Sequence, residues 1–166
     1  MKHLKLSLGI FFILAASRFI PHPPNFTTLI TLSFYVPAFL GIKFIPIVLL
    51  SFALTDIYFG MHATTLFTWG SVFFIGFISK YLFSNIFKRI IGAFCGACIF
   101  YLISNFGVWA VSGYYEINLN GLILSYSLAL PFFYNSIAST MIFSLIIEGS
   151  FKLSKIYKNY FKSSLS

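Results

Sequence analysis

The sequence predicts an all-α integral membrane protein, a bundle of about six transmembrane helices with both termini on the cytoplasmic side. Three observations predict it. Of 166 residues, 59% are hydrophobic and only 8% are charged, whereas a soluble domain carries roughly a quarter. So few charges cannot cover a water-facing surface. Mean hydropathy is +0.93, and the apolar residues fall in continuous runs without the period-two alternation of a membrane β-barrel. A soluble globular enzyme is excluded, and so is a disordered chain. A crossing helix needs about 20 apolar residues, so the chain holds at most about six or seven crossings with short loops.

The first span covers residues 4–20 and stops at Pro21, His22, Pro23 and Pro24, which no helix continues through. Asn25 is placed to cap a second span over 26–40, with Pro37 kinking it late. Gly41, Ile42 and Lys43 form a tight inner turn. The third span covers 44–59 and Gly60 ends it. The fourth covers 64–79, followed by Lys80. A polar stretch through Asn85, Lys88 and Arg89 leads into the fifth, 90–111. The longest polar interval is 112–120. Residues 121–130 read as a short helix at the membrane interface, and Pro131 opens the sixth span, 132–147. Several spans are shorter than 20 residues, which predicts a thin or locally pinched structure.

Residues 1–150 thus make a single transmembrane domain. Residues 151–166 make a basic amphipathic cytoplasmic tail. Lys152, Lys155, Lys158 and Lys162 recur at spacings of three and four, with Tyr157, Tyr160 and Phe161 between them and Phe151 just before. This pattern suits anionic membrane lipid; a solvated, frayed terminus is the alternative.

The net charge of +8 reads as topology, not as nucleic-acid binding. Ten of the eleven Lys and Arg residues precede or open the first span, follow the second, fourth and sixth, or lie in the tail, and only Arg18 falls on the other side. Positive residues hold loops in the cytoplasm, which places the chain in a bacterial cytoplasmic membrane with both ends inside. Lys2 and Lys5, the apolar run 6–14, then Ala15, Ala16 and Ser17 also resemble a cleavable signal peptide. The remaining five spans would keep the same orientation.

On that topology the unusual polar residues gather at the outer end. They are Arg18, His22, Asn25, Asp56, His62, Asn105, Trp109 and Asn135, with Tyr114, Tyr115, Glu116 and Asn118 in the third outer loop. A charged group within a crossing helix costs roughly 2.5–3.5 kcal/mol, so it has a partner or a task. Arg18 and Asp56 either tie two helices together or line an outward pocket. His22, held between prolines, is a rigid loop residue or a pocket wall. Trp109 lies one turn after Asn105 on the same helix face, an interface aromatic or a stacking platform for a flat ligand. Cys95 and Cys98 form a C-x-x-C match, but within an apolar helix beside Gly96 and Ala97 they mark close packing. His22, Asp56 and His62 follow no recognised metal-ligand spacing. No nucleotide-binding loop is present, and no nucleophile accompanies Asp56 and His62, which leaves an intramembrane enzyme as a third reading. No cofactor is expected.

The stretch Arg18-Phe19-Ile20-Pro21-His22-Pro23-Pro24-Asn25-Phe26-Thr27 resembles the signature of an uncharacterised family of small bacterial membrane proteins. Supporting matches are Asp56-Ile57-Tyr58-Phe59-Gly60-Met61-His62, Ser104-Asn105-Phe106-Gly107-Val108-Trp109 and Leu130-Pro131-Phe132-Phe133-Tyr134-Asn135. That family in turn resembles the substrate-binding S components of energy-coupling factor (ECF) vitamin transporters. The resemblance implies six helices and an outward pocket for a vitamin or precursor. It also implies docking on a shared transmembrane subunit driven by two ATPases. The chain departs from the S-component pattern in its first helix, where Gly9, Ala15, Ala16 and Ser17 supply no pair of small residues four apart, and Ser7 is followed by Phe11. Cell-shape membrane proteins of the MreD type share a similar architecture, so a scaffold without a ligand is the alternative function.

Overall fold

The computed structural model describes residues 2–164, with side chains described for 4–157. Among these residues the chain is all-helical and contains no strand. Seven α-helices follow one another: α1 (Lys2–Phe19), α2 (Leu29–Leu40), α3 (Ile45–Phe59), α4 (Thr65–Ile78), α5 (Ile86–Val111), α6 (Leu119–Leu128) and α7 (Leu130–Ser164). Short 3₁₀ turns, Ile42–Phe44 and Ser79–Tyr81, join α2 to α3 and α4 to α5.

The shortest crossing candidate is the most buried. Helix α2 has 12 uncharged residues, and every residue from Leu29 to Pro37 is buried. It packs against α1, α3, α4, α5 and α7. On one side Leu29, Leu32 and Val36 meet Ile10 and Leu14 of α1, Val48 and Phe52 of α3 and Val72 of α4. On the other, Ile30, Phe34 and Tyr35 meet Ile75 of α4 and Ala93 and Ala97 of α5. Small residues permit that approach. A Cβ added at Gly92 would collide with the Phe34 ring of α2, and at the neighbouring α4–α5 contact one at Gly107 would collide with Phe67. Close backbone approach through small residues is how helices associate where lipid supplies no hydrophobic drive. Cys95 and Cys98 are free thiols beside this contact.

Among the described residues, three helical segments are long and apolar enough to cross a membrane: Ile42–Phe59, Ile86–Val111 and Leu130–Tyr157. Helices α1, α2 and α4 have 18, 12 and 14 residues, so the six expected crossings are not equivalent in length.

The boundaries differ from the sequence reading in three instructive places. Asn25 does not cap α2, which begins at Leu29. Asn25 instead adopts φ +63° in a turn, a conformation asparagine tolerates better than most residues. The delay is imposed by Ser17, whose hydroxyl lies 2.9 Å from that of Thr28 and accepts the Thr28 N–H at 3.2 Å, so the loop is tied to α1 before the next helix begins. Helix α5 starts four residues early, because the Asn85 side chain accepts from the Lys88 N–H at 2.9 Å and caps it. The tail residues continue the last helix, since α7 runs unbroken from Leu130 through Ser164. The side chains of Lys158, Tyr160, Phe161 and Lys162 lie outside the described residues. Gly60, at φ +102°, ends α3 as expected.

Candidate functional site

Arg18 closes α1 and Asp56 sits one turn before the end of α3. The two helices pack together, which brings the charges to the same level. Nη1 of Arg18 donates to Oδ1 of Asp56 at 2.6 Å and to the Thr55 hydroxyl at 2.5 Å. The other Asp56 oxygen accepts from the indole N–H of Trp69, on α4, at 2.8 Å. Asp56 is 2% exposed and both its oxygens are bonded. The guanidinium also lies 4.8 Å over the Phe52 ring and 5.3 Å from the Phe59 ring. Arg18 remains 19% exposed, and its Nε and Nη2 have no hydrogen-bond partner among the described residues. The constellation is therefore a three-helix tie that spends one edge of the guanidinium and leaves the other available.

Arg18 lines a cleft of about 630 Å³ between the loop after α1, the loop after α3, the C-terminal half of α5, α6 and the start of α7. Ligand pockets commonly run about 300–1,000 Å³. Five of the eight residues singled out in the sequence line it: Arg18, His22, Asn25, His62 and Asn105. His22 Nδ1 lies 2.7 Å from the Pro23 carbonyl. A carbonyl only accepts, so Nδ1 carries the hydrogen and Nε2 is left as an acceptor in the neutral ring. His62 Nδ1 pairs with the Thr64 hydroxyl at 2.8 Å, while the Thr65 hydroxyl receives the His62 N–H and donates to its carbonyl. Asn105 donates Nδ2 to the Tyr101 carbonyl at 2.8 Å, which leaves its Oδ1 without a partner among the described residues.

Asp56, Trp109 and Asn135 do not line the cleft. Asp56 is buried behind Arg18 as described. Trp109 donates its indole N–H to the Glu116 carbonyl at 3.1 Å and leans on Phe106 at 5.4 Å, so it braces the loop after α5. Asn135 donates to the Pro24 carbonyl at 3.0 Å and pins the proline loop to α7.

The sequence reading missed the aromatic walls. Phe52, Phe59, Phe100, Tyr101, Phe132 and Phe133 all line the cleft, beside Tyr115 of the third outer loop, which the sequence had singled out. Tyr101 stacks on Phe133 at 4.3 Å with 24° between the planes. Tyr101 and Tyr126 lock α5 to α6 reciprocally, each hydroxyl donating 2.7 Å to a carbonyl on the other helix. Trp69 was missed too, although a signal existed: positions 56 and 69 lie six and seven residues from the middle of the short loop joining α3 and α4, so an antiparallel pair brings them nearly level.

Residues 2–163 match a family described as a family of unknown function (DUF6580). No curated protein matches the chain, and no solved structure does.

Proposed function

The chain belongs to the family of unknown function DUF6580; since membership brings no activity with it, we propose from the cleft itself that the protein is a membrane-embedded substrate-binding subunit. It captures a small, flat, anionic micronutrient such as a vitamin or its precursor, in the manner of an ECF S component. What supports this is the half-committed Arg18. One edge of the guanidinium is held by Asp56 and Thr55, which fixes its position, and the other edge is left for a ligand anion. His22, His62, Asn25 and Asn105 supply further hydrogen bonds. Phe59, Phe100 and the Tyr101–Phe133 stack supply flat apolar walls. Asp56 acts by positioning Arg18, while Trp69 satisfies the second Asp56 oxygen from behind.

In this arrangement α1, α2, α3, α4, α5 and α7 cross a bacterial cytoplasmic membrane, α6 lies at the outer interface, both termini are cytoplasmic, and the cleft opens outward. An ECF-type transmembrane subunit with its ATPases would energise release, in keeping with a sequence in which no nucleotide-binding loop is legible. The test is thermal unfolding of the detergent-solubilised protein against a panel of vitamins and precursors. A true ligand at a hundredfold excess over its Kd adds about 2.7 kcal/mol of stability. The gain should vanish in His62→Ala with Asn105→Ala, neither of which belongs to the tie.

One observation favours a second reading, a scaffold without a ligand. Asp56 is fully bonded, as a purely structural tie would be. In that case no panel member stabilises the protein, and a partner protein co-purifies instead.

A further inference from the structure

Depth in a bilayer can be counted along the helices. Lys43 precedes α3, Lys80 follows α4, Lys88 lies in the first turn of α5, and Lys152 lies one turn after Glu148 in α7. The Arg89–Glu148 pair and the stack of Phe39 on Phe151 bring the same ends of α2, α5 and α7 together. Lysines mark the cytoplasmic boundary. From Lys43 to Asp56, from Lys80 back to Trp69 and from Lys88 to Tyr101 the climb is about 16–20 Å at 1.5 Å per residue. The hydrocarbon layer is about 30 Å thick. The Arg18–Asp56–Trp69 tie and the Tyr101 level of the cleft therefore lie about 10 Å beneath its outer boundary, and helix tilt only deepens them. The rim is apolar as well: Phe19, Ile20, Tyr58 and Met61, neighbours of Arg18 and His62 in the chain, are all exposed.

Charge is scarce at that depth. Among the described residues lining the cleft, Arg18 is the one Lys, Arg, Asp or Glu, and Asp56 already balances it at 2.6 Å. Glu116 is turned to Asn118 in the third outer loop. His22 and His62 stand in the loops nearer the mouth. The hydroxyls of the wall are also committed, since Thr68, Ser104, Ser125 and Ser136 each donate to a carbonyl of their own helix. What remains is one guanidinium edge and a set of rings, among them the Tyr101–Phe133 stack.

We infer, on the capture reading above, that the cleft selects its ligand by charge: a single carboxylate on a planar apolar ring system, with dicarboxylates and phosphate esters of the same ring excluded. The first carboxylate meets Arg18 and accepts its N–H groups. A second anionic group would lie at hydrocarbon depth with no further Lys or Arg beside it, which is the costly placement for an ion. The nearest remaining fixed charge, Asp56, has the same sign and repels it. The ring system replaces lipid against the aromatic walls and needs no polar partner.

Thermal unfolding of the full chain in detergent, against 2-naphthoate, naphthalene-2,6-dicarboxylate and 2-naphthyl phosphate, holds the ring constant and varies the charge. At about pH 8 the phosphate ester carries two charges. Selection by charge predicts that 2-naphthoate raises the melting temperature and that both dianions bind about tenfold or more weakly. A dianion that binds as tightly as 2-naphthoate overturns the inference and leaves substrate capture standing. Silence from all three overturns the assigned ligand class, while the vitamin panel decides capture separately. Depth is read without any ligand. Trp69 and Trp109 are the two tryptophans of the chain, and Trp69 is half-buried. In Trp109→Phe, reconstituted in bilayers, Trp69 emission should be lost more to bromine near the ends of the lipid chains than to bromine near the headgroup. Equal loss, or greater loss to the headgroup position, overturns the placement and the selection built on it. The ligand comparison uses the unsubstituted chain and stands whether or not that variant folds.

Discussion

Removing the Arg18 guanidinium leaves Asp56 buried, charged and facing an empty space, and breaking a buried pair in this way costs about 3–5 kcal/mol. Arg18→Ala should therefore unfold the protein at markedly lower denaturant or temperature, measured by loss of the monodisperse peak on heating. Trp69→Phe removes one hydrogen bond to the same carboxylate, at about 1.5–3 kcal/mol. It should lower stability while leaving ligand affinity within a few fold, because the indole lies behind the site. Arg18→Lys separates the roles further: it keeps a charge near Asp56 but lacks the second edge that a ligand anion would use. At this scale the sequence was informative about chemistry and silent about commitment. That Arg18 and Asp56 lie at one level followed from counting along two spans. That Asp56 spends both oxygens inside the protein did not, because its second partner, Trp69, sits on a third helix whose rotation no periodicity revealed. Trp109 drew attention for its place beside Asn105, yet its indole N–H turns to the Glu116 carbonyl.

At the scale of the helices, the close approach of α2 and α5 depends on glycine. Gly92→Ala places a methyl group against the Phe34 ring, which is fully buried. Overpacking of this kind costs about 1–3 kcal/mol. Gly9→Ala, on the same logic, meets nothing within 4 Å and should be neutral or slightly stabilising; parallel thermal melts compare the two. Asn118 caps α6 by accepting the Gly121 N–H at 2.8 Å, and Asn118→Ala should cost about 1 kcal/mol, loosening the wall of the cleft that α6 forms. Helix order and approximate limits were legible because apolar runs and prolines mark them. Helix starts were less so. The delayed start of α2 is decided by Ser17 bonding Thr28, a contact between elements, and the early start of α5 by Asn85, which was noted in the sequence only as part of a polar stretch.

For the whole molecule, two ion pairs mark opposite ends of the bundle, Arg18 with Asp56 and Arg89 with Glu148. The remaining Lys residues cluster at the Arg89 end along the chain. If charge sets orientation, that end is cytoplasmic. A cysteine at position 62 should then react with an impermeant reagent in intact cells, and one at position 152 only after permeabilisation, with Cys95 and Cys98 replaced by alanine in both. The cleft itself was half legible. Its polar residues announce themselves in so apolar a chain, whereas its aromatic walls are hidden among 23 Phe and 10 Tyr residues, where no local pattern separates a ring facing a ligand from one facing lipid.

Substrate capture is tested most directly by native mass spectrometry of the gently extracted protein, before and after incubation with a mixture of vitamins and precursors. Capture predicts a discrete added mass that persists in Trp109→Phe and disappears in His62→Ala with Asn105→Ala. A bare protein mass under both conditions would contradict it and leave the three-helix tie as the reason for the polar cluster.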